Sequence, residues 1–119
     1  MATATGRKKN LTSRPKAYRI RRKFALTQPK FARVMGISVR RLADLEQGVE
    51  PSEQVKRRIT EVDRLRRELA TVVNAEKIGP WMDGPNKAFG NRRPIQVIED
   101  GEIDLLWAMI YDLKSGNPQ

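Results

Sequence analysis

Residues 26–48 read LTQPKFARVMGISVRRLADLEQG, and this stretch decides the fold. It predicts two short helices, because Thr27 and Ser38 are each placed to cap a helix N-terminus with a side-chain oxygen. Gly36 and Gly48 stand where a chain leaving a helix takes a positive φ. The apolar residues expected on the inward faces are Phe31, Ala32, Met35, Leu42 and Leu45. The segment therefore predicts a helix-turn-helix.

The composition excludes several kinds of chemistry. The chain has 119 residues, of which 39% are hydrophobic, and it contains neither cysteine nor histidine. No side chains are arranged as a nucleophile, base or metal-ligand set, and no glycine-rich phosphate loop is present. No apolar run reaches the roughly 18 residues of a membrane span, and no apolar stretch follows the basic N-terminus as in a secretory signal. We expect a cytoplasmic protein that is not an enzyme and that has no metal, no cofactor and no membrane partner.

The positive charge is concentrated in the first two thirds of the chain. Residues 1–75 carry 19 Lys and Arg against 7 Asp and Glu, a net charge of +12. Residues 76–119 carry 5 against 7, a net charge of −2. A basic segment favours association with a polyanion, because each neutralised phosphate releases condensed counterions. The two parts of the chain are therefore expected to have different partners.

The pattern along the chain predicts an all-α protein divided into three parts. Residues 1–14 are expected to form a flexible basic arm, since they show no periodic apolar pattern. Residues 15–75 are expected to form a DNA-binding domain, with helices at about 15–25, 28–35 and 38–47 and a long linking or dimerisation helix that starts at Pro51 and Ser52. Residues 76–119 are expected to form a small helical C-terminal domain.

The long helix carries one narrow apolar stripe. Its members recur at spacings of three or four residues, and they are Val55, Ile59, Val62, Leu65, Leu69 and Val72. Two interpretations stay open at this point. The stripe either packs on its own domain or forms a surface for a second copy of the chain.

The last predicted helix is apolar on nearly all sides. Proline and glycine residues make residues 78–94 a turn-rich stretch, a short helix is expected after Pro94, and Gly101 precedes a final helix at about 102–114. Nine of the eleven residues from Ile103 to Leu113 are apolar or aromatic. Such a helix needs cover on both sides, which 44 residues cannot supply alone. A dimer or a protein partner is therefore expected here.

The segment 26–48 closely resembles the Xre/Cro/CI class of helix-turn-helix repressors, and the resemblance extends over about residues 15–60. Its signature residues are Thr27-Gln28, Phe31-Ala32, Gly36-Ile37-Ser38, Leu42 and Leu45-Glu46-Gln47-Gly48. The resemblance implies that a recognition helix presents base-reading side chains to the major groove of a double-stranded DNA operator. Those side chains are Val39, Arg40, Arg41 and Asp44.

The chemistry of these residue types agrees with that role. Arginine can donate two hydrogen bonds to guanine O6 and N7, Val39 can contact a thymine methyl group, and Asp44 can accept from cytosine N4. Alternatively the arginines form a solvated helix face, and Asp44 orients one of them. The resemblance makes Gln28 a phosphate ligand; the other expected phosphate contacts are Thr27, Lys30, Arg22 and Lys23.

Three further expectations concern the same part of the chain. The resemblance pairs Glu46 with Arg21, in keeping with the need of a half-buried carboxylate for a partner. Residues 7–9, Arg-Lys-Lys, either enter the minor groove or form a solvated tail. Specific binding by such heads normally takes two of them about 34 Å apart, so a homodimer is expected.

Residues 76–116 resemble the toxin-binding domain of the Xre/MbcA/ParS antitoxin group. The matching residues are Trp81-Met82, Pro85-Asn86, Phe89-Gly90, Pro94, Gly101 and Gly116, whereas Asn91 replaces a usual glycine and Arg93 a common threonine. The resemblance implies a cognate RES-type toxin that consumes NAD and whose active site is blocked by this domain and the C-terminal end. The expected toxin-binding residues are Met109, Tyr111, Lys114, Ser115, Gly116, Asn117, Pro118 and Gln119. We expect Trp81, Phe89 and Trp107 to form the small domain's core.

Together these features favour an antitoxin that neutralises a RES-type toxin and represses its own operon. The alternative is a stand-alone Xre-family regulator that uses its C-terminal domain to dimerise. A third hypothesis is a general nucleic-acid coater that contacts only the DNA backbone. These hypotheses differ in whether a toxin complex forms and whether Arg40 reads sequence.

Overall fold

The structure is a computed structural model that describes residues 14–116, and it is all-α. In chain order its α-helices are α1 (Lys16–Phe24), α2 (Gln28–Met35), α3 (Val39–Glu46), α4 (Glu53–Leu69), α5 (Ile78–Met82), α6 (Pro94–Glu99) and α7 (Ile103–Lys114). Short 3-10 helices cover Ala75–Lys77 and Lys87–Phe89. Among these described residues, no helix combines the length and the apolar run that a membrane crossing requires.

The ends of α2 and α3 are set by the residues predicted to set them. The Thr27 hydroxyl accepts from the Lys30 amide at 3.4 Å, and the Ser38 hydroxyl accepts from the Arg41 amide at 3.0 Å. Gly36 ends α2 with a φ of 71°. The expected caps and the sharp turn between the two helices are therefore confirmed.

The buried side chains form one continuous cluster with members from α1 to α7. The inward residues predicted for α2 and α3 belong to it, together with Val34, which the pattern did not single out. Helix α2 is central because it packs against α3, α4 and α6. The predicted boundary near residue 76 stays a prediction, and the buried residues on its two sides share this cluster.

The apolar stripe of α4 packs inside its own chain. Val55, Ile59, Val62, Leu65 and Leu69 are all buried. Val72 lies beyond the end of the helix and is half-buried. This burial favours the interpretation that the stripe packs on its own domain, because its side chains are already covered within the chain.

Helix α5 occupies part of the stretch that the sequence predicted to be turns. Its second residue is Gly79, and a Cβ there would lie 2.9 Å from the carbonyl oxygen of Phe24 and 3.0 Å from that of Ala25. Gly79 is thus required by close contact with the end of α1 rather than by a turn. Pro80 fits because the first turn of a helix needs no intrahelical N–H donor.

Helix α7 is covered on one side only. Leu106, Met109 and Ile110 are buried, and the helix packs against α4 and α6. Leu105, Ala108, Tyr111 and Leu113 are exposed. The sequence predicted that both sides of this helix need cover. Among the described residues, only one side is covered.

Candidate functional site

Helix α3 presents its polar residues outward. Val39 is 43% exposed, and Arg40, Arg41 and Asp44 are exposed as well. Leu42 and Leu45 on the opposite side are buried, so the rotation of the helix is fixed by the core. All four predicted base-reading side chains are accessible to a large ligand.

The exposed cations of α1 and α3 carry no ion pair within residues 14–116. Lys16, Lys23, Arg40 and Arg41 have no carboxylate within ion-pair distance in that range. The Arg22 side chain contacts Tyr18, at 3.5 Å from its hydroxyl and 5.9 Å from the centre of its ring. An unpaired exposed cation can bind a phosphate without first breaking an internal contact. These five cations lie on two helices that pack against each other, so this part of the surface attracts a polyanion.

Glu46 is buried at the centre of a hydrogen-bonded network. The network joins α1, the first residue of α2 and the last residue of α3. Arg21 donates from Nε to Oε2 at 2.6 Å and from Nη2 to Oε1 at 2.9 Å. Gln28 donates from Nε2 to Oε1 at 3.0 Å. The bond to Glu46 raises the pKa of Arg21 above its usual value, although partial burial opposes the shift. Arg21 and Glu46 thus lie together as expected, in a bidentate pair that is stronger than a single contact.

The network also positions Gln28, which is half-buried at the start of α2. An amide nitrogen has two N–H donors, and one of them is used by Glu46. The second remains for an external acceptor. Thr27 is the exposed cap of the same helix, and its hydroxyl is engaged by the Lys30 amide.

Lys30 has an internal acidic partner that the sequence did not reveal. Its Nζ lies 2.7 Å from Oδ2 of Asp83, which follows α5. The bond lowers the pKa of Asp83 below its usual value, with burial acting in the opposite direction. Lys30 is thus already paired, unlike the other cations predicted to bind phosphate.

A second ion pair joins α2 to the C-terminal part of the chain. Arg33 donates to Glu99 from Nε at 3.1 Å and from Nη2 at 2.8 Å. Asp83 and Glu99 lie 53 and 66 residues from their partners in sequence. No local pattern could have identified either acid as a partner of α2.

The outer face of α7 is an apolar surface with acidic residues beside it. Leu105 is 41% exposed, Tyr111 70% and Leu113 36%. Asp104 is exposed and Asp112 half-buried on the same helix. Of the three α7 residues predicted to contact a toxin, which are Met109, Tyr111 and Lys114, Tyr111 is the hydrophobic residue that is largely exposed and available to a partner.

Met109 is buried in the core and also lines a groove on the surface. That groove has a volume of about 450 Å³ and is lined by Trp81, Asn86, Lys87, Ala88, Met109 and Leu113. A partner side chain that enters this groove would contact Met109. Groove and outer face meet at Leu113, so together they form one surface, which we call the α7 surface.

The remaining predicted residues are placed as follows. Lys114 pairs with Glu68 of α4, and Ser115 and Gly116 are exposed. The predictions for Asn117, Pro118 and Gln119, like those for residues 7–9, concern positions outside the described residues.

The three aromatic residues expected in the core of the C-terminal part are not equally buried. Phe89 is buried, whereas Trp81 and Trp107 are half-buried at the edge of the cluster. The guanidinium of Arg64 lies 4.7 Å from the centre of the Trp107 ring. This cation–π contact ties α7 to α4.

Comparison with known proteins gives a consistent result. No family model matches the chain. The mycobacterial cidal antitoxin MbcA of Mycobacterium tuberculosis is 27% identical over 95 residues, which are 79% of this chain and 84% of MbcA. MbcA of Mycobacterium bovis gives the same values. In the crystal structure of the M. tuberculosis MbcT–MbcA toxin–antitoxin complex, one chain has a TM-score of 0.68 to this fold and 25% sequence identity. The alignment covers 85% of this chain and 92% of that one, so the likeness extends over most of both chains.

Proposed function

We propose that the protein is an antitoxin of the MbcA type, and that it binds both a toxin and DNA. The similarity to MbcA in sequence and to a chain of the MbcT–MbcA complex in fold supports the antitoxin role. That role requires no catalytic group, in keeping with a sequence that lacks histidine and cysteine. In this proposal the toxin binds an apolar surface and DNA binds a basic surface of the same chain.

The toxin binds the α7 surface in this proposal. Its exposed apolar side chains suit a partner with an apolar hollow for Tyr111, because large aromatic residues contribute most binding energy when buried at an interface. Asp104 and Asp112 favour basic residues around that hollow. The resemblance stated above makes this partner a RES-type toxin that consumes NAD, and it directs residues 114–119 toward the toxin's active site.

DNA binds α3 and the neighbouring cations of α1. Arg40 and Arg41 read base edges, while Arg22, Lys23, Thr27 and Gln28 contact phosphates. Two copies on a palindromic operator give two such heads about 34 Å apart. The protein in this way represses its own operon as a homodimer. Since the α4 stripe is buried, the dimer contact must use another surface.

One observation carries this proposal most directly. The same chain has an exposed apolar helix face on α7 and a separate group of unpaired cations on α1 and α3. Exposed apolar patches on a small protein mark sites of protein association. A protein that only coats DNA would not need an exposed apolar face on α7.

The antitoxin role is tested by expressing the chain together with the product of the neighbouring gene. We expect the two proteins to purify as a complex, and we expect cellular NAD to fall when the neighbour is expressed alone and to recover when both are present. Removal of residues 114–119 should impair this recovery and leave DNA binding intact. Arg40→Ala is the matched control, because it should impair DNA binding and leave the recovery intact.

The result also separates the two leading hypotheses. If no complex forms and NAD does not recover, the antitoxin proposal is wrong. A stable dimer of the chain alone, lost in Tyr111→Ala, would then favour a stand-alone regulator that dimerises through the α7 surface.

A further inference from the structure

The strongest unexplained feature of the molecule is the pair formed by Lys30 and Asp83. Lys30 lies in the first turn of α2, three residues after the cap Thr27 and two after Gln28. These neighbours belong to the proposed DNA surface. Yet the Lys30 ammonium is 2.7 Å from a carboxylate of the C-terminal part of the chain. The exposed cations of α1 and α3, in contrast, have no ion pair among residues 14–116.

We propose that Asp83 competes with DNA phosphate for Lys30, so that this residue of the C-terminal part limits the affinity of the DNA surface. The inference rests on the proposed DNA binding. Lys30 is 43% exposed and Asp83 32% exposed, so a phosphate can reach the pair from solvent. To bind Lys30 without repulsion from Asp83, the phosphate must take the carboxylate's place.

The position of Asp83 is fixed by contacts that do not depend on its own side chain. Arg93 donates from Nε to the Asp83 backbone carbonyl oxygen at 3.0 Å, and the same Nε lies 3.9 Å from Oδ1 of the Asp83 carboxylate. The bond to the backbone oxygen is independent of the side chain. Met82, the preceding residue, is buried in the core. The carboxylate is therefore held beside α2, and replacing it with an amide removes its charge without removing these anchors.

The expected size of the effect follows from counterion release. One additional phosphate contact steepens the dependence of log K on log salt by about 0.9. At about 0.1 M salt, this counterion release increases the affinity for DNA by roughly 5–10-fold. The Asp83→Asn variant should show both changes.

The experiment measures binding of the full chain to a mixed-sequence duplex of about 30 base pairs at several salt concentrations, because phosphate contacts do not depend on sequence. The variants are D83N, K30Q/D83N and D100N. D100N is the matched control. It also removes one negative charge, but from an ion pair with Arg92 that lies wholly within the C-terminal part. D83S serves as a second variant without the carboxylate, and circular dichroism verifies that each variant is folded.

We expect D83N to bind more tightly and with a steeper salt dependence than the wild type, and D100N to resemble the wild type. The gain should disappear in K30Q/D83N, because Lys30 carries it. A gain that persists without Lys30, an equal gain in D100N, or no gain in D83N and D83S would overturn the inference. If the wild type itself does not bind the duplex at low salt, the proposed DNA binding fails, which is a different result from failure of the competition alone.

Discussion

The ion pair of Arg21 and Glu46 gives the sharpest test of how the helices proposed to bind DNA are held together. The Glu46 side chain is 4% exposed and that of Arg21 16%. Glu46 accepts two hydrogen bonds from Arg21 and one from Gln28. Arg21 also donates from Nη1 to the backbone oxygen of Leu26 at 3.1 Å. One side chain therefore ties α1 to the end of α3 and to the loop before α2.

Arg21→Met should leave Glu46 as a buried charge with one neutral donor. Breaking a buried pair by removing one partner costs about 3–5 kcal/mol. We expect a loss near the lower end, about 3 kcal/mol, because Gln28 still donates to Glu46 and water can reach the edge of the site. That loss is a large fraction of the roughly 5–15 kcal/mol by which small proteins are stable.

The assay is urea unfolding followed by circular dichroism. Arg22→Met is the matched control, since Arg22 is exposed on the same helix and its side chain contacts only Tyr18 among the described residues. This variant should change the free energy of unfolding by less than about 0.5 kcal/mol. Arg21→Met combined with Glu46→Leu should recover most of the stability, because no buried charge then remains. If Arg21→Met costs no more than Arg22→Met, the network does not hold these helices together and the reasoning is refuted.

Three other outcomes follow from the structure. Gly79→Ala should lower the free energy of unfolding by about 1–3 kcal/mol, because its Cβ would meet the backbone oxygen of Phe24; an unchanged urea midpoint would contradict the close contact. Tyr111→Ala should change stability by no more than about 0.5 kcal/mol but weaken toxin binding measured by calorimetry by about 2 kcal/mol or more, and unaltered affinity would remove Tyr111 from the interface. The pKa of Asp83 is lowered by Lys30, so its contribution to stability is present above the unfolded pKa of about 3.9 and is lost as the pH falls through the lower folded value. Asp83→Asn should accordingly lose less stability than the wild type between pH 6 and pH 3 in urea titrations, and an equal loss would exclude this contribution.

Local signals were enough to predict the helices that carry the proposed DNA surface. Thr27, Ser38 and Gly36 act through hydrogen bonds and backbone angles within a few residues, so their effect can be predicted without knowing the rest of the molecule. The apolar spacing in α2 and α3 also fixes which side chains point inward. As a result, the exposure of Arg40 and Arg41 follows from the sequence, whereas their contact with base edges stays a prediction.

Long-range contacts were not predictable in the same way. Periodicity showed that α4 has an apolar face, but it could not show that the chain's own helices cover that face. Gly79 suggested a turn, although its role depends on the backbone of α1, more than fifty residues away in sequence. The pairing of Lys30 with Asp83 likewise depends on how α5 packs near α2, and charge pattern alone contains no information about that packing.

The account depends most on sequence reading by the exposed arginines of α3, and one comparison tests it directly. The measurement is the affinity of the wild type and of Arg40→Ala for a duplex from the chain's own promoter and for a mixed-sequence duplex of equal length, at the same salt concentration. The account predicts that Arg40→Ala loses about 1–3 kcal/mol more on the promoter than on the mixed sequence. An equal loss on both duplexes would show that Arg40 contacts only the backbone, and it would contradict recognition of an operator by this helix.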